Sequence, residues 1–216
     1  MTGVPVDAPL VQSWITELAT AVASEKDHLT ALDAAIGDAD HGANLARGFA
    51  AVQTKLAADD APDTPGKLLM LVGRTLMSTV GGASGPLYGT VFRELGKALG
   101  DGETVDDDAF VAGLRAGLDG VRKLGAANEG DKTLVDAYAP ALAALEEATA
   151  AGQPLTAAAK SAAHASDDGA RATVPLEARK GRASYLGARS VGHQDPGATS
   201  TALLFAALQR AVERAA

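Results

Sequence analysis

Three aspartates near residue 40 are the side chains whose type and spacing most clearly indicate chemistry. Asp38 and Asp40 are separated by one residue in a turn-forming segment, and Asp33 lies about one helical turn earlier on a helix-like run. If that helix ends near Ile36, the three carboxylates can converge. Carboxylate oxygens suit Mg²⁺, and Mg²⁺ bound by a few carboxylates keeps positions open for phosphate oxygens. The sequence therefore predicts a metal–nucleotide site.

The same aspartates also have simpler interpretations. Asp33 could be a solvated helix residue, and Asp38 could stabilise a turn or cap a helix. An EF-hand is excluded, because the twelfth loop position counted from Asp38 is Phe49, where a Glu ligand is required. The metal site is favoured by the neighbouring residues His41, Gly42 and Asn44.

Two turns in the sequence could hold phosphates. Segment 81–86, Gly-Gly-Ala-Ser-Gly-Pro, follows one helix and begins another, whose free N–H groups and positive dipole end favour an anion. Asp195 is a plausible N-cap and Pro196 a natural first helical residue, so the last helix offers a second such end. Each could equally be an ordinary turn or cap. Segment 81–86 is not a Walker P-loop, since no Lys-Ser/Thr pair follows the glycines.

A basic stretch interrupts the periodicity between residues 173 and 195. Long irregular segments in a compact domain are usually functional or disordered. Arg182 within it could bridge phosphate oxygens with its fork of donors, or could be a solvated surface side chain. Segment 130–136, a helix start that contains a lysine, is a weak signal by itself. The basic residues of the stretch are Arg179, Lys180, Arg182 and Arg189.

The composition predicts an all-α protein. The chain has 216 residues and no composition shift, so we predict a single domain over residues 1–216. Hydrophobic residues make up 47% but aromatic residues only 4%, so the core must consist mainly of Ala, Leu and Val. Small side chains let helices approach closely, and Ala has the highest helix propensity.

Charge and cysteine content argue against several function classes. The net charge of −8 disfavours nucleic-acid binding, which needs a basic face. Bound divalent ions could still reverse the field locally and attract a nucleotide. The absence of cysteine excludes disulfides and thiolate chemistry. The chain start has no signal-peptide pattern and the apolar runs are too short for a bilayer. The simplest prediction is a cytoplasmic protein without a membrane or nucleic-acid partner.

Helical periodicity dominates the elements that must position these residues, as in the apolar stripe Leu10, Trp14, Leu18 and Val22. We expect about eight helices with short connections and antiparallel neighbours. Pro9 after Asp7 indicates the start of the first helix. Thr104 followed by Asp107 resembles a capping box. Pro140 is expected to kink or divide its helix.

Four segments together resemble one family. Gly37–Asn44, Gly81–Gly89, Gly130–Asp136 and Lys180–Thr201 occur in the order found in the nucleotide-binding L subunit of dihydroxyacetone kinases. The resemblance spans nearly the whole chain. It implies a closed barrel of eight antiparallel α-helices, with the nucleotide across the loops at one end.

The resemblance also implies a set of site residues. Two Mg²⁺ ions would bridge the phosphates of ADP or ATP to Asp33, Asp38 and Asp40. Leu134 would form part of an apolar seat for adenine. The nucleotide contacts carried over by position are His41, Gly42, Ala43, Asn44, Ala83, Ser84, Gly125, Leu134, Arg182, Asp195, Pro196 and Gly197.

The length of the chain resembles the free-standing subunit of the phosphotransferase-system type. In that type ADP stays bound, accepts a phosphoryl group from a phosphohistidine carrier (M) subunit and passes it to dihydroxyacetone held on a K subunit. Phosphoryl transfer needs mainly positioning and charge stabilisation, so no catalytic nucleophile is expected on this chain.

Three alternatives stay open on the sequence. The chain could be an L subunit that exchanges ATP, or one that serves a related ketose. It could belong to a fatty-acid-kinase-like system, although the loop of that family usually has Thr at the position of His41. It could also be a nucleotide-dependent regulatory module that signals to a transcriptional regulator.

Overall fold

The computed structural model describes residues 4–216, and helices form most of this part of the chain. Arg182–Ser190 forms a 3-10 segment, kinked at Gly187, between the last two α-helices. The nine α-helices of residues 4–216 are α1 (Ala8–Ser24), α2 (Lys26–Ile36), α3 (His41–Leu56), α4 (Pro65–Thr79), α5 (Ser84–Leu99), α6 (Asp107–Gly125), α7 (Val135–Ala150), α8 (Leu155–Ala172) and α9 (Pro196–Ala215). The all-α prediction is confirmed, with one helix more than the expected number.

Two short strands accompany the helices. β1 (Val6–Asp7) pairs antiparallel with β2 (Thr104–Val105), which ties the start of α1 to the start of α6. Among residues 4–216, none of the helices has both the length and the apolar character that crossing a lipid bilayer requires.

Local signals placed some helix ends correctly and others wrongly. Asp7 caps α1 by accepting a hydrogen bond from the Leu10 N–H at 2.9 Å, as the Asp7–Pro9 pattern predicted. The capping box at Thr104 was wrong. Asp106 caps α6 instead, accepting from the Ala109 N–H at 2.8 Å, because pairing with β1 holds Thr104 in an extended strand.

Pro140 was expected to kink or divide its helix, and the division does not occur. Helix α7 is one element from Val135 to Ala150 with Pro140 inside it. It packs along α8 and also contacts α6 and α9. Burial of Tyr138 and Leu142 in these contacts offsets the helical hydrogen bond that Pro140 cannot donate.

The helices pack in a cyclic order. From α3 to α9 each helix contacts the next one along the chain, and α3 and α9 both contact α1. Helix α2 lies outside this order, against α3, α9 and the 3-10 segment. The α2–α3, α4–α5 and α6–α7 connections and the loop before α9 therefore meet at one end of the molecule.

Small residues allow the closest helix contacts, as the composition suggested. A Cβ atom on Gly73 of α4 would lie 2.7 Å from the Gly89 carbonyl oxygen of α5, so this contact requires glycine. The few aromatic residues concentrate in the core. Trp14 packs on Phe92 and Phe110, with ring centroids 5.9 and 6.0 Å away, and donates a hydrogen bond from Nε1 to the Leu204 carbonyl oxygen at 3.0 Å.

Candidate metal and nucleotide site

The three sequence-predicted aspartates converge in the connection between α2 and α3. Asp33, Asp38 and Asp40 each offer one carboxylate oxygen, and these oxygens lie within 4.8 Å of one another. Helix α2 ends at Ile36, which is the condition under which the three carboxylates could converge, and the chain then turns through Ala39 with a φ of 62°. Such a left-handed residue is uncommon outside glycine, and here it lies between two of the converging carboxylates.

Asp33 also accepts hydrogen bonds from the backbone at the start of α3. Its Oδ2 accepts hydrogen bonds from the backbone N–H groups of Asp40 at 2.8 Å and His41 at 3.2 Å. The carboxylate therefore fixes the start of α3 and leaves Oδ1 available as a ligand. A Cβ on Gly37 would collide with that Oδ1 atom, so the glycine keeps it accessible.

The charge of the cluster fits a divalent cation. Asp33 and Asp40 make no ion pair in residues 4–216, and Asp38 pairs with the Nε of Arg182 at 3.0 Å. Three converging carboxylates against one guanidinium leave an excess of negative charge that oxygen-preferring Mg²⁺ would neutralise. The residues thus fit a magnesium site, and their role as metal ligands stays a prediction.

His41 links three helices beneath the aspartates. Its Nδ1 lies 3.0 Å from Ser84 Oγ at the start of α5, and its Nε2 lies 2.9 Å from Ser200 Oγ on α9. Tyr88 OH lies 2.7 Å from Ser200 Oγ and 2.9 Å from Thr201 Oγ1, which extends the network. These bonds fix the N-terminal ends of α3, α5 and α9 relative to one another.

Both ring-bearing members of this network are buried as neutral groups. Burial lowers the pKa of the His41 imidazole, although the charges of Asp33 and Asp40 act in the opposite direction. Burial also raises the pKa of the Tyr88 phenol to about 12. Neutral rings can each donate one hydrogen bond and accept another, which suits a closed chain of hydroxyls.

A cavity of about 480 Å³ lies above this network. Its volume is in the range of small-molecule sites, about 300–1,000 Å³. Its polar lining includes the aspartates, Ser84, the α9 start and Arg182. Its apolar lining residues are Pro86, Leu87, Val121, Leu124, Ala127 and Leu134. Carboxylates and two helix N-termini together with apolar side chains suit a ligand with phosphates and a flat ring.

Most sequence-predicted contact residues line this cavity. They are His41, Ala83, Ser84, Gly125, Leu134, Arg182, Asp195, Pro196 and Gly197. Three others, Gly42, Ala43 and Asn44, lie behind the cavity wall on α3. Ala43 is exposed, and the buried Asn44 accepts a hydrogen bond from Arg47 at 2.7 Å.

Gly42 packs against α2, and its replacement is expected to destabilise the fold. A Cβ there would collide with the Lys26 carbonyl oxygen and lie 2.6 Å from Thr30 Oγ1. We expect Gly42→Ala to lower the free energy of unfolding by about 1–3 kcal/mol, as measured by urea denaturation. Ala43→Ser on the exposed neighbour is the control and should be near neutral. Equal stability of Gly42→Ala and the control would contradict the tight α2–α3 contact.

Asp195 caps α9 from within the cavity wall. Its Oδ2 accepts a hydrogen bond from the Ala198 N–H at 2.6 Å, and its own N–H donates to Thr173 Oγ1 at 2.9 Å. Burial raises the pKa of this carboxyl to about 7, against the lowering effect of the Ala198 N–H bond. The proton is therefore held far more tightly than on an exposed aspartate.

This raised pKa predicts a specific pH dependence. Between about pH 4 and pH 7 the folded state binds the Asp195 proton more tightly than the unfolded state. The stabilising contribution is therefore full below pH 4 and is lost as pH rises through 7, a loss of about 4 kcal/mol. We expect Asp195→Asn, which keeps the acceptor for Ala198, to remove this loss, so that the variant is more stable than the wild type at pH 8. Urea unfolding across pH 4–8 measures this difference in stability, with Asp101→Asn at an exposed position as the control. Parallel stability curves for Asp195→Asn and the wild type would contradict the raised pKa.

The structure adds cavity residues that the sequence analysis did not select. Lys132 lines the wall and is only 1% exposed, and Leu87, Val121 and Leu124 add to the apolar lining. Leu87 and Val121 are apolar residues of α5 and α6, a residue type that amphipathic helices direct toward the core, so the sequence carried no sign that they also face a cavity. Lys132 was visible only as a lysine in the weak 130–136 signal.

Comparison with known proteins identifies relatives of this chain. Residues 35–210 match the DAK2 domain. The chain is 40% identical over 203 residues to the ADP-binding subunit DhaL of the PEP-dependent dihydroxyacetone kinase of Escherichia coli (strain K12), covering 94% of this chain and 96% of that one. It is 41% identical over 195 residues to the corresponding subunit of kinase 1 of Listeria innocua, covering 90% and 92% of the two chains.

A solved structure has the same fold. The dihydroxyacetone kinase of C. freundii in complex with AMP-PNP and Mg²⁺ superposes with a TM-score of 0.73 at 28% sequence identity. The match covers 95% of this chain and 34% of that kinase, so the chain spans about a third of the solved protein.

Fold and site together define an all-α domain with a carboxylate cluster beside a ligand cavity. The chain belongs to the DAK2 domain family.

Proposed function

We propose that this chain is the ADP-binding L subunit of a dihydroxyacetone kinase. The bound nucleotide would accept a phosphoryl group from a phosphocarrier M subunit and pass it to dihydroxyacetone on a K subunit. The observation that carries the proposal is the meeting of three carboxylates and the N-termini of α5 and α9 at one cavity. The two DhaL relatives, which are ADP-binding subunits of PEP-dependent kinases, support the choice of nucleotide and partners.

The aspartates are assigned to the metal ions. Asp33, Asp38 and Asp40 would hold two Mg²⁺, with Asp33 contributing Oδ1 because its Oδ2 is occupied by backbone N–H groups. The bound metal supplies charge neutralisation for the phosphates. The C. freundii kinase in complex with AMP-PNP and Mg²⁺ supports the pairing of metal and nucleotide.

The helix starts are assigned to the phosphates and the apolar lining residues to adenine. Ala83 and Ser84, at the start of α5, and Pro196 and Gly197, at the start of α9, line the cavity, so the positive dipole ends of both helices lie beside it. Backbone N–H donors would come from the start of α5, because Pro196 has no N–H and Asp195 accepts the Ala198 N–H. Arg182 would leave Asp38 and bind phosphate oxygens once metal occupies the carboxylates. Leu134, beside Gly125, would seat the adenine ring.

The cyclic packing order supports a further proposal about the fold. Helices α1 and α3 to α9 number eight, and the contact of α9 with α1 completes their circuit. We infer that these eight helices form a closed antiparallel barrel with the cavity at one end. In this arrangement α2 is an outer helix that carries Asp33.

Nucleotide retention tests the proposed function. Protein purified without added nucleotide and then denatured should release ADP at about one per chain, as measured by mass spectrometry. EDTA should release the same nucleotide from the folded protein, since the aspartates hold it through metal. Protein that neither retains ADP nor binds it with Mg²⁺ would contradict the proposal.

The phosphoryl donor is tested separately. Protein with resident ADP should be phosphorylated by a phosphohistidine carrier subunit and should exchange poorly with ATP in solution. Rapid exchange with ATP, with transfer to the ketose and no need for the carrier, would favour an ATP-dependent subunit instead.

A further inference from the structure

Lys132 is a buried lysine whose setting differs from that of every other cation in residues 4–216. Its side chain is 1% exposed, and its backbone has a φ of 62°, a left-handed conformation that disfavours residues with a side chain. Lysine is almost never fully buried unless its ammonium is paired or hydrogen-bonded. The free-energy cost of burying the ammonium and the strain of the left-handed backbone fall on the same residue, which indicates a specific structural or functional role.

The ammonium of Lys132 joins two distant points of one segment. Nζ donates to the Leu176 carbonyl oxygen at 3.0 Å and to the Ser190 carbonyl oxygen at 2.7 Å. These carbonyls belong to the first and last residues of the segment 176–190, which connects α8 to α9 along the chain. Lys132, which lies in the α6–α7 connection, therefore holds the two ends of the segment together.

Hydrogen bonds also join the two ends of this segment, residues 174–178 and 190–192, which we call the neck. The Ala178 N–H donates to Ser190 Oγ at 2.9 Å, and the Gly192 N–H donates to the Val174 carbonyl oxygen at 2.8 Å. These bonds join residues of the neck to each other. Lys132 adds the connection to another part of the fold, beside the single bond from the Arg179 N–H to the Asp131 carbonyl oxygen at 3.0 Å.

The far part of the segment carries Arg182. It is more exposed than the neck, with Tyr185 87% exposed, and Arg182 reaches Asp38 from there at 3.0 Å. Lys180, Gly181 and Ala183 line the cavity beside Arg182. Outside the neck this part meets the fold through α2 and the exposed Arg182–Asp38 ion pair, so the contacts at the neck contribute to holding it over the cavity.

We propose that Lys132 is a positioning residue that holds Arg182 over the metal–nucleotide site by clamping both ends of segment 176–190. The nature of the ligand rests on the proposed function, but the clamp itself does not. A methionine side chain of similar length has no hydrogen to donate to the two carbonyl oxygens, so its presence would let the neck open and Arg182 move away from the aspartates.

Limited trypsin digestion of nucleotide-free protein tests the clamp directly. The segment contains four cleavage sites, at Arg179, Lys180, Arg182 and Arg189. We expect Lys132→Met to raise cleavage at these sites about 10-fold or more, while cleavage after the exposed Lys67 stays at the wild-type rate. The urea midpoint should change little, because Met fills the space without a buried charge. Unchanged cleavage within the segment would overturn the clamp.

A double-mutant cycle on ADP affinity tests whether Lys132 acts through Arg182. With Mg²⁺ present, Lys132→Met and Arg182→Ala should each weaken ADP binding about 10-fold, the value of one charged hydrogen bond. The double variant should be no weaker than the weaker single variant, since both remove the same contact. If the losses of ADP affinity in the two single variants multiply in the double variant, the positioning role is overturned. Full ADP affinity in Lys132→Met would overturn it as well.

A substitute variant and the ADP binding of the wild-type chain keep the test of the clamp separate from the test of the proposed function. If Lys132→Met does not give folded protein, Lys132→Leu, which also lacks a donor, replaces it in both experiments, with the same effects expected and a wild-type result overturning the clamp. Failure of the wild-type chain to bind ADP would count against the proposed function, whereas the trypsin result would still decide the clamp.

Discussion

Asp38→Ala is expected to reduce phosphoryl transfer to dihydroxyacetone by about 10³-fold or more, because catalysis of this reaction depends mainly on charge stabilisation and positioning. Asp38 is one of the three converging carboxylates and the partner of Arg182, so its loss removes a metal ligand and the ion pair together. The measurement is transfer in a system reconstituted with the K and M subunits. The same variant should release its nucleotide during gel filtration.

Two variants separate the roles of Asp38. Arg182→Ala breaks the same ion pair but keeps the metal ligands, so it should lose much less activity than Asp38→Ala. Asp59→Ala, in an exposed loop, should leave transfer unchanged. Full transfer by Asp38→Ala would contradict the metal site, and equal losses in Asp38→Ala and Arg182→Ala would locate the effect in the ion pair.

His41→Leu is expected to lower the free energy of unfolding by roughly 2 kcal/mol and to weaken nucleotide retention. The imidazole bridges Ser84 Oγ and Ser200 Oγ, and a leucine leaves these hydroxyls short of a partner in a buried setting. The same bridge sets the start of α5 against α9, so both phosphate-facing helix ends lose their fixed relation. Urea denaturation and the ADP content of purified protein measure the two effects.

The control for this substitution is His164→Leu. His164 is exposed on α8 and should tolerate the change with little effect on stability. Tyr88→Phe provides a second comparison, because it removes the next hydroxyl in the same network. A His41→Leu protein as stable as the His164→Leu control would contradict the structural bridge.

Much of the fold could be predicted because its signals are local. The apolar stripe that includes Trp14 and the caps at Asp7 and Asp195 depend on neighbours within one or two helical turns. Predictions from local sequence failed where longer-range contacts determine the structure. Strand pairing placed Thr104 outside the helix, and packing against other helices kept α7 whole through Pro140.

The same distinction applies to the site. The aspartates lie within eight residues of one another in the sequence, and a helix end and one turn suffice to bring them together. The resemblance to L subunits then supplied Arg182 and the start of α9, which composition and spacing left ambiguous. It did not show that Gly42 packs against α2 or that Asn44 accepts from Arg47, since those contacts depend on neighbouring side chains.

The sequence by itself determined an acidic, small-residue helical chain with three carboxylates placed to converge. Only the tertiary structure decided that His41 joins three helix starts and that Lys132 closes the segment carrying Arg182. The physical reason is distance along the chain. Ser200 lies 159 residues from His41, and Ser190 lies 58 residues from Lys132, far beyond any helical or turn periodicity. Burial then makes those polar contacts necessary, because a buried imidazole or ammonium without partners would destabilise the fold.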